Sequence, residues 1–167
     1  MQTGFAIYED GVENVVFTNV IDEDKLEELD SLQYCPMQFQ TRLEKKKELR
    51  VTVVGQDIYA FEIDSQKSEA AKIDWRKDGL NLIDQWVETQ LPREIELKLL
   101  ELLDVYHVDY GAIDIILTPE DEYYFIEINA AGEFFWLDNL TDGNLISKSI
   151  ADLLCDKAPR RNNSVLA

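Results

Sequence analysis

Apolar positions in the first stretch of the chain alternate on either side of Asp10-Gly11, with Phe5 and Ile7 before it and Val15 and Phe17 after it. A period of two around a turn dipeptide predicts a hairpin. Over 22–32 the period lengthens. Leu26, Leu29 and Leu32 fall at helical spacing behind Asp22, and acidic residues crowd the first turn, so a helix capped by Asp22 is expected. Cys35-Pro36 breaks the pattern. Residues 37–47 (MQFQTRLEKKK) then lead into a β-branched strand over 49–54, which Gly55-Gln56-Asp57 turns into a second strand over 58–63. Signals are weak over 65–91, and 66–78 has the composition of a surface loop, so this stretch reads as irregular or mobile.

Pro92 opens a helix whose apolar positions, Ile95, Leu99 and Leu102 together with Leu97, Leu100 and Leu103, form a surface wider than one stripe. Such a helix is expected to be buried on most sides. The clearest hairpin follows: GAIDIILT at 111–118, a PEDE turn, and YYFIEIN at 123–129. A last helix over 147–154 precedes a frayed tail, 159–167. The class is α+β, built from antiparallel hairpins packed on helices, with no internal repeat.

At 167 residues, 46% hydrophobic and 30% charged, the chain has the size and mix of one globular domain. No apolar run is long enough for a membrane span and the N-terminus lacks a basic-then-apolar order, so a cytoplasmic chain is expected. A net charge of −18 repels nucleic acid and anionic membrane, and a phosphate ligand would need local positive charge. Cys35 and Cys155 lie far apart and His107 is the sole histidine. That argues against a zinc cluster, a redox dithiol and a histidine-based triad, and favours buried, reduced thiols.

Centring the last hairpin on its turn sets residue 118 opposite 123 and Asp114 opposite Glu127, with Asn129 on the same face. Ile113, Ile115 and Leu117 then share the other, core-facing side with Tyr124, Ile126 and Ile128. Opposed carboxylates repel at a cost of up to about 1 kcal/mol. Three readings offset that cost: the acids are solvated, one is protonated, or a hard divalent cation sits between them. Two carboxylates plus an amide oxygen suit Mg²⁺ when phosphate oxygens complete the shell. If repulsion dominates, Asp114→Asn and Glu127→Gln should each stabilise the metal-free chain.

The strand ending EINAAG (127–132) delivers two oxygen ligands and then frees the backbone. With YCPMQFQ (34–40), ELRVTVVG (48–55), EIDSQ (62–66), DWR (74–76), YGAIDIILTPEDEYYFIEIN (110–129) and ISKSIADLL (146–154), the chain resembles the C-terminal half of ATP-grasp ligases. Within that family it resembles the microviridin-type enzymes, which mature ribosomal peptides (graspetides) by ω-ester and ω-amide crosslinks. The resemblance implies Asp114, Glu127 and Asn129 as Mg²⁺ ligands and Arg50 as the contact to the ATP terminal phosphate and the acyl phosphate. It implies ATP contacts at Arg76 and along an interdomain strand, Gln40, Thr41, Arg42 and Leu43, whose backbone holds adenine with Lys45 beside it. Taken without the resemblance, Arg50 reads as an edge-strand arginine paired with a local acid, Lys45, Lys46 and Lys47 as a solubilising run, and Phe134, Phe135 and Trp136 as core.

On the same basis, 1–47 is the remnant of the central subdomain and interdomain strand, 48–158 the C-terminal subdomain and 159–167 a flexible tail. The family reads Pro-Asn where Ala130-Ala131 stand here, and glutamine is common at the place of Glu133. Members are about twice this long, and the lysine that grips the nucleotide phosphates is expected upstream of Met1. The implied reaction is ATP- and Mg²⁺-dependent: a carboxylate is activated as acyl phosphate and joined to a hydroxyl or amine in a ribosomal peptide. The implied partner is a precursor peptide with its leader; a separate polypeptide carrying the other half and a homodimer are left open. Two rival readings are another ATP-grasp carboxylate-amine ligase and a non-catalytic relic or peptide-binding module.

Overall fold

A computed structural model describes residues 6–15, 17–34 and 37–161. The first hairpin forms as expected, with β1 (Ala6–Glu9) and β2 (Val12–Val15) joined through Asp10 and Gly11, both at positive φ. It is a separate two-stranded sheet. The helix expected over 22–32 is present as a 3₁₀ helix, Glu23–Tyr34. At its start the Lys25 N–H meets both the carbonyl (3.1 Å) and the carboxylate (3.3 Å) of Asp22. Cys35 and Pro36 lie outside the described residues.

Residues 37–45 belong to neither sheet, so the strand expected over 40–43 is not formed. Pairing begins where the Lys46 N–H reaches the Leu117 carbonyl at 2.8 Å. From there β3 (Lys47–Val54) and β4 (Asp57–Ile63) run as the predicted hairpin. Gly55, at φ +57°, supplies the positive φ its two-residue turn needs. The three lysines are no solubilising run. Lys45 Nζ meets Glu48 at 2.7 Å and the Ile73 carbonyl at 3.0 Å, Lys46 pairs with Asp121, and Lys47 with Glu62.

The stretch over 65–91 is built rather than irregular. Asp64 and Asp74 accept N–H bonds from Gln66 and Arg76 and start two 3₁₀ turns, Ser65–Lys67 and Trp75–Asp78. A short α1 (Gly79–Leu82) and β5 (Val87–Thr89) follow, with Ala71, Leu82 and Trp86 buried. These short caps carry no periodicity, so composition alone reads them as loop.

The long helix α2 (Arg93–Tyr106) starts after Pro92 and ends at His107, whose left-handed conformation closes the last turn through N–H bonds to Asp104 and Leu103. It is buried on one side only. Leu99 and Leu103 are enclosed while Leu97 is 51% exposed, because α2 is the outer layer over a single sheet face. Then come β6 (Tyr110–Leu117), β7 (Tyr123–Asn129), α3 (Phe135–Asp138) and α4 (Leu145–Leu154).

All neighbours in the main sheet are antiparallel, in the order β5-β4-β3-β6-β7. Under α2, one face packs Leu49, Val51, Val53, Ala60, Ile113, Ile115 and Leu117. The other face carries a second cluster, with Phe61, Ile63, Leu137, Ile146 and Leu153. The α+β class is as expected, but the chain has two apolar layers where the hairpin argument supplied one.

The tail starts anchored. Arg161 is 4% exposed and donates to both Asp104 carboxylate oxygens (2.8 and 2.6 Å) and to the Gly55 and Leu100 carbonyls. Residues 162–167 lie outside the described residues. Cys155 is free and exposed, contrary to the buried thiol expected, because it caps the solvent end of α4; Cys35 lies outside the described residues. Among the described residues no helix is long and apolar enough to cross a membrane.

The one-sided burial of α2 predicts a split between two leucines. Leu103→Ala should cost about 2–5 kcal/mol and Leu97→Ala within about 0.5 kcal/mol of zero, as read from urea denaturation midpoints. Equal losses would show that the outer face is packed.

Candidate functional site

Antiparallel register builds one charged row across the sheet. On β3 Arg50 pairs with Asp114 of β6, which pairs with Glu127 of β7. Asn129, two residues further along β7, pairs with Ala112 on the same face. The turn end of the hairpin differs from expectation: Leu117 faces Tyr123 and Ile115 faces Phe125, one residue out of the predicted register. A β-bulge between Asp114 and Ile115, with Ile126 as the extra residue, restores the Asp114–Glu127 pair. The bulge also reverses the strand's faces. Tyr123 and Ile128 pack on the α2 core, whereas Tyr124, expected there, is exposed.

Arg50 is 9% exposed. Its Nη1 donates to Asp114 Oδ1 at 2.9 Å and its Nη2 to the Glu133 carbonyl at 3.3 Å, and its buried Nε–H has no partner among the described residues. A guanidinium this enclosed needs a counter-charge, and Asp114 is it. Burial, followed by the charge of Asp114 and a hydrogen bond to it, pushes the Glu127 carboxyl above the ordinary carboxylate range against the pull of Arg76 and Arg50. The repulsion argued from sequence is thus shared unequally: Arg50 neutralises Asp114, and Glu127 bears the cost.

Asn129 Oδ1 accepts the Ala131 N–H at 3.4 Å at the end of β7. Two carboxylates and an amide oxygen on one face form an all-oxygen donor set, which fits a hard divalent cation such as Mg²⁺. Among the described residues no group of three or more His, Cys, Asp or Glu side chains could hold a metal ion. Any metal here would therefore rely on that amide and on oxygens brought by a ligand.

Arg76 faces the row from the 74–78 turn. Its Nε and Nη2 grip Asp74 at 2.8 and 2.6 Å, a planar two-point pairing. The Asp74 bond, then the charges of Asp74, Asp114 and Glu127, raise its proton affinity against the effect of burial. Burial pushes the Asp74 carboxyl up, but the Arg76 side chain and the Thr18 and Arg76 backbone N–H groups outweigh it and hold the carboxyl below its usual range. The Thr18 N–H, 3.1 Å from Asp74, ties the segment after β2 to the same turn.

Of the nucleotide contacts expected from sequence, Arg50 and Arg76 come together around Asp114 and Glu127. Gln40, Thr41 and Arg42 are exposed and Leu43 half-buried, in a segment outside both sheets. The Lys45 side chain is 8% exposed and held by Glu48 and Ile73, so a phosphate contact would require it to change partners.

Three contributors escaped the sequence reading. Gly132 sits where a Cβ would lie 2.5 Å from Ala112 Cβ and 2.8 Å from Arg50 Nη2, so only glycine lets the 130–133 loop close over the row. Tyr110 donates from its hydroxyl to the Gly132 carbonyl. Trp75, Trp86 and Trp136 meet with ring centroids 5.0–5.5 Å apart, joining the Arg76 turn to the segment after β7. Phe134 packs edge-on to Tyr110 and stacks on Phe135, which is 67% exposed. The spacing of Gly132 from Asn129 was visible in the sequence; no sequence signal marks the tryptophan contacts, which join distant segments. An apolar groove of about 510 Å³ runs behind this loop, past Tyr110, Gly132, Phe134 and Leu153, and takes in none of the charged row.

No protein-family model matches the chain, and no curated protein does. Solved structures do. A RiPP-associated ATP-grasp ligase from Chryseobacterium gregarium, in complex with ADP and a leader and core peptide, is 82% identical over 99% of this chain, with a TM-score of 0.93. The macrocyclase MdnC of Microcystis aeruginosa MRC, bound with precursor peptide MdnA, is 41% identical over 95% of this chain at a TM-score of 0.75. The macrocyclase MdnB from the same organism is 30% identical over 83% at 0.56. The matches cover 50%, 46% and 46% of those chains, so this chain spans about half their length.

The unequal sharing of charge replaces the symmetric expectation for the two acids. Asp114→Asn, which strips the counter-charge from a buried guanidinium, should destabilise the metal-free chain by about 1–3 kcal/mol. Glu127→Gln should stabilise it by up to about 1 kcal/mol. Because folding raises the proton affinity of Glu127, the folded state binds more protons than the unfolded one just above the ordinary carboxylate range. Its contribution is therefore full at lower pH and lost as pH rises. Melting temperatures of wild type and Glu127→Gln should draw apart as pH rises from 4.5 toward neutrality, with the variant the more stable; parallel curves would contradict the assignment.

Proposed function

We propose a reaction for this chain from the premise that it belongs to the RiPP-associated, microviridin-type ATP-grasp ligases, of which it spans about half the length. It contributes one wall of a cleft in which ATP activates a carboxylate of a ribosomal precursor peptide, and the product is a crosslink to a hydroxyl or amine of the same peptide. The observation that carries this reading is the Arg50–Asp114–Glu127 row, with Asn129 beside it: an acid pair for a cation and a buried guanidinium for a phosphoryl group, set side by side by register.

Asp114, Glu127 and Asn129 would hold Mg²⁺, which when bound neutralises charge on the nucleotide phosphates. In the first step a substrate carboxylate oxygen forms a bond to the γ-phosphorus, the bond to the ADP oxygen breaks, and an acyl phosphate results. In the second a hydroxyl or amine attacks the acyl carbon, loses its proton and releases inorganic phosphate. Arg50 stabilises the negative charge of the phosphoryl group in both steps, and its enclosed setting strengthens that interaction. Arg76, fixed by Asp74, presents positive charge from the facing turn. Residues 40–43 leave backbone groups outside both sheets for an adenine edge. In a chain of net charge −18, these two arginines supply the local positive charge that a polyphosphate needs. No side chain has to act as a covalent nucleophile, in keeping with an exposed Cys155 and a His107 used to end α2.

The test is to incubate the protein, together with a polypeptide carrying the other half of the cleft, with ATP, Mg²⁺ and a precursor peptide carrying its leader, and to read loss of one water per crosslink by mass spectrometry. Arg50→Ala should lower turnover by roughly 100- to 1,000-fold. ATP consumption with a free amine but no change in the peptide would favour another carboxylate-amine ligase. Peptide binding without nucleotide binding would favour a non-catalytic module.

A further inference from the structure

The loop that follows the acid strand is drawn onto the sheet from two sides. Tyr110, four residues before Asp114 on β6 and on the same face, donates its hydroxyl to the Gly132 carbonyl at 2.5 Å. Arg50 Nη2 donates to the next carbonyl, Glu133, at 3.3 Å. Between them Gly132 lies against Ala112, Asn129 and the Arg50 guanidinium so closely that an added Cβ would fall within 3.3 Å of each. The carbonyl that orients one arm of Arg50 therefore belongs to a loop held at its start by the Asn129 oxygens, which accept the Ala131 and Gly132 N–H groups, and against the sheet by the Tyr110 hydroxyl and the missing side chain of Gly132. Burial pushes the Tyr110 hydroxyl above the usual phenol range, so it remains a donor at neutral pH. Phe134, edge-on to Tyr110 at 6.2 Å, holds the ring itself.

We propose that Tyr110 is a positioning residue for the ligase reaction: through Gly132 it holds the Glu133 carbonyl against Arg50 and so sets the angle at which the guanidinium meets the phosphoryl group. The proposal rests on the ligase reading for its catalytic consequence, but the latch itself is a property of the fold. Tyr110 acts through the loop, because its hydroxyl is already spent on the Gly132 carbonyl. Outer partners of this kind are worth roughly 10- to 100-fold in activity when removed. An arginine with one arm on Asp114 and the other released can pivot about that remaining bond, which changes its place in the transition state more than the affinity for nucleotide.

The test compares wild type, Tyr110→Phe, Arg50→Ala and the double variant. Tyr110→Phe keeps the ring and its contact with Phe134 and removes only the donor. The expected result is a fall in kcat of roughly 10-fold with KM for ATP within about twofold, and no further loss when the same change is made on Arg50→Ala. A residue of merely structural value would lower both backgrounds alike. Unchanged kcat, a change confined to KM, or additive losses would each overturn the proposal. Should wild type, supplied with a polypeptide carrying the other half of the cleft, show no turnover with any precursor, the ligase reading fails by itself, and proton exchange decides the latch. In wild type the Arg50 Nε–H should exchange at least 10-fold more slowly than in Tyr110→Phe; equal rates would refute it.

Discussion

A positive charge almost wholly removed from water organises this fold's second face. Arg50 is 9% exposed, and an enclosed guanidinium without counter-charge costs several kcal/mol. Its partners follow from that requirement. Asp114 has to stand directly opposite on β6, which the β3–β6 register secures. A loop carbonyl has to take the second arm, so the chain after β7 folds back over the sheet, and Gly132 is the residue whose missing side chain permits the approach. Tyr110 then fixes that loop from the other side. Glu127 and Asn129, placed on the neighbouring strand by the same register, inherit an environment in which one carboxylate is already neutralised and the other is not. The arrangement that satisfies the buried arginine also leaves a carboxylate, an amide and part of a guanidinium facing one another.

The bulge in β7 links this chemistry to the packing of the opposite face. An unbroken ladder from the Leu117–Tyr123 end would set Asp114 opposite Ile126 and turn Glu127 toward α2, burying a charge in the main core. One extra residue between Phe125 and Glu127 prevents that, and lets Tyr123 and Ile128 both serve the core from the two sides of the irregularity. A local fault in the ladder therefore keeps two demands compatible: apolar contact with α2 and acids on the arginine face.

Much of this is legible in the sequence because it rests on short-range patterns. Apolar runs bounded by turn signals give β3, β4, β6 and β7; Pro92 and the leucine spacing give α2; and the pairing of Asp114 with Glu127 follows from counting across a turn. That count reaches the right pair from a turn register one residue out, the bulge making up the difference, so Tyr124 and Ile126 are assigned to the wrong face. What stays hidden depends on contacts between distant segments. The caps at Asp64 and Asp74 and the three-tryptophan contact organise 65–91 without any periodic signal. Arg161 is held by groups 52 to 106 residues away, which no reading of the tail's composition reveals. Arg50 reads from sequence as an edge-strand arginine paired with a local acid, whereas β3 is the central strand and the arginine is buried under a second apolar layer that local patterns do not announce. The homology is visible as ordered motifs spread over nearly the whole chain, and the solved relatives bear it out at up to 82% identity.

Register brings Asp114, Glu127 and Asn129 onto one face, and we propose that they act there as one cation site that works with nucleotide phosphates. Manganese takes the same oxygen ligands as magnesium and broadens nearby NMR signals, so it reports the site directly. With ADP present, substoichiometric Mn²⁺ should broaden first the Asn129 side-chain amide and the backbone amides of Asp114, Glu127 and Gly132. The effect should vanish in Asp114→Asn. Broadening spread evenly over the acidic surface, or centred elsewhere and indifferent to that substitution, would contradict the account.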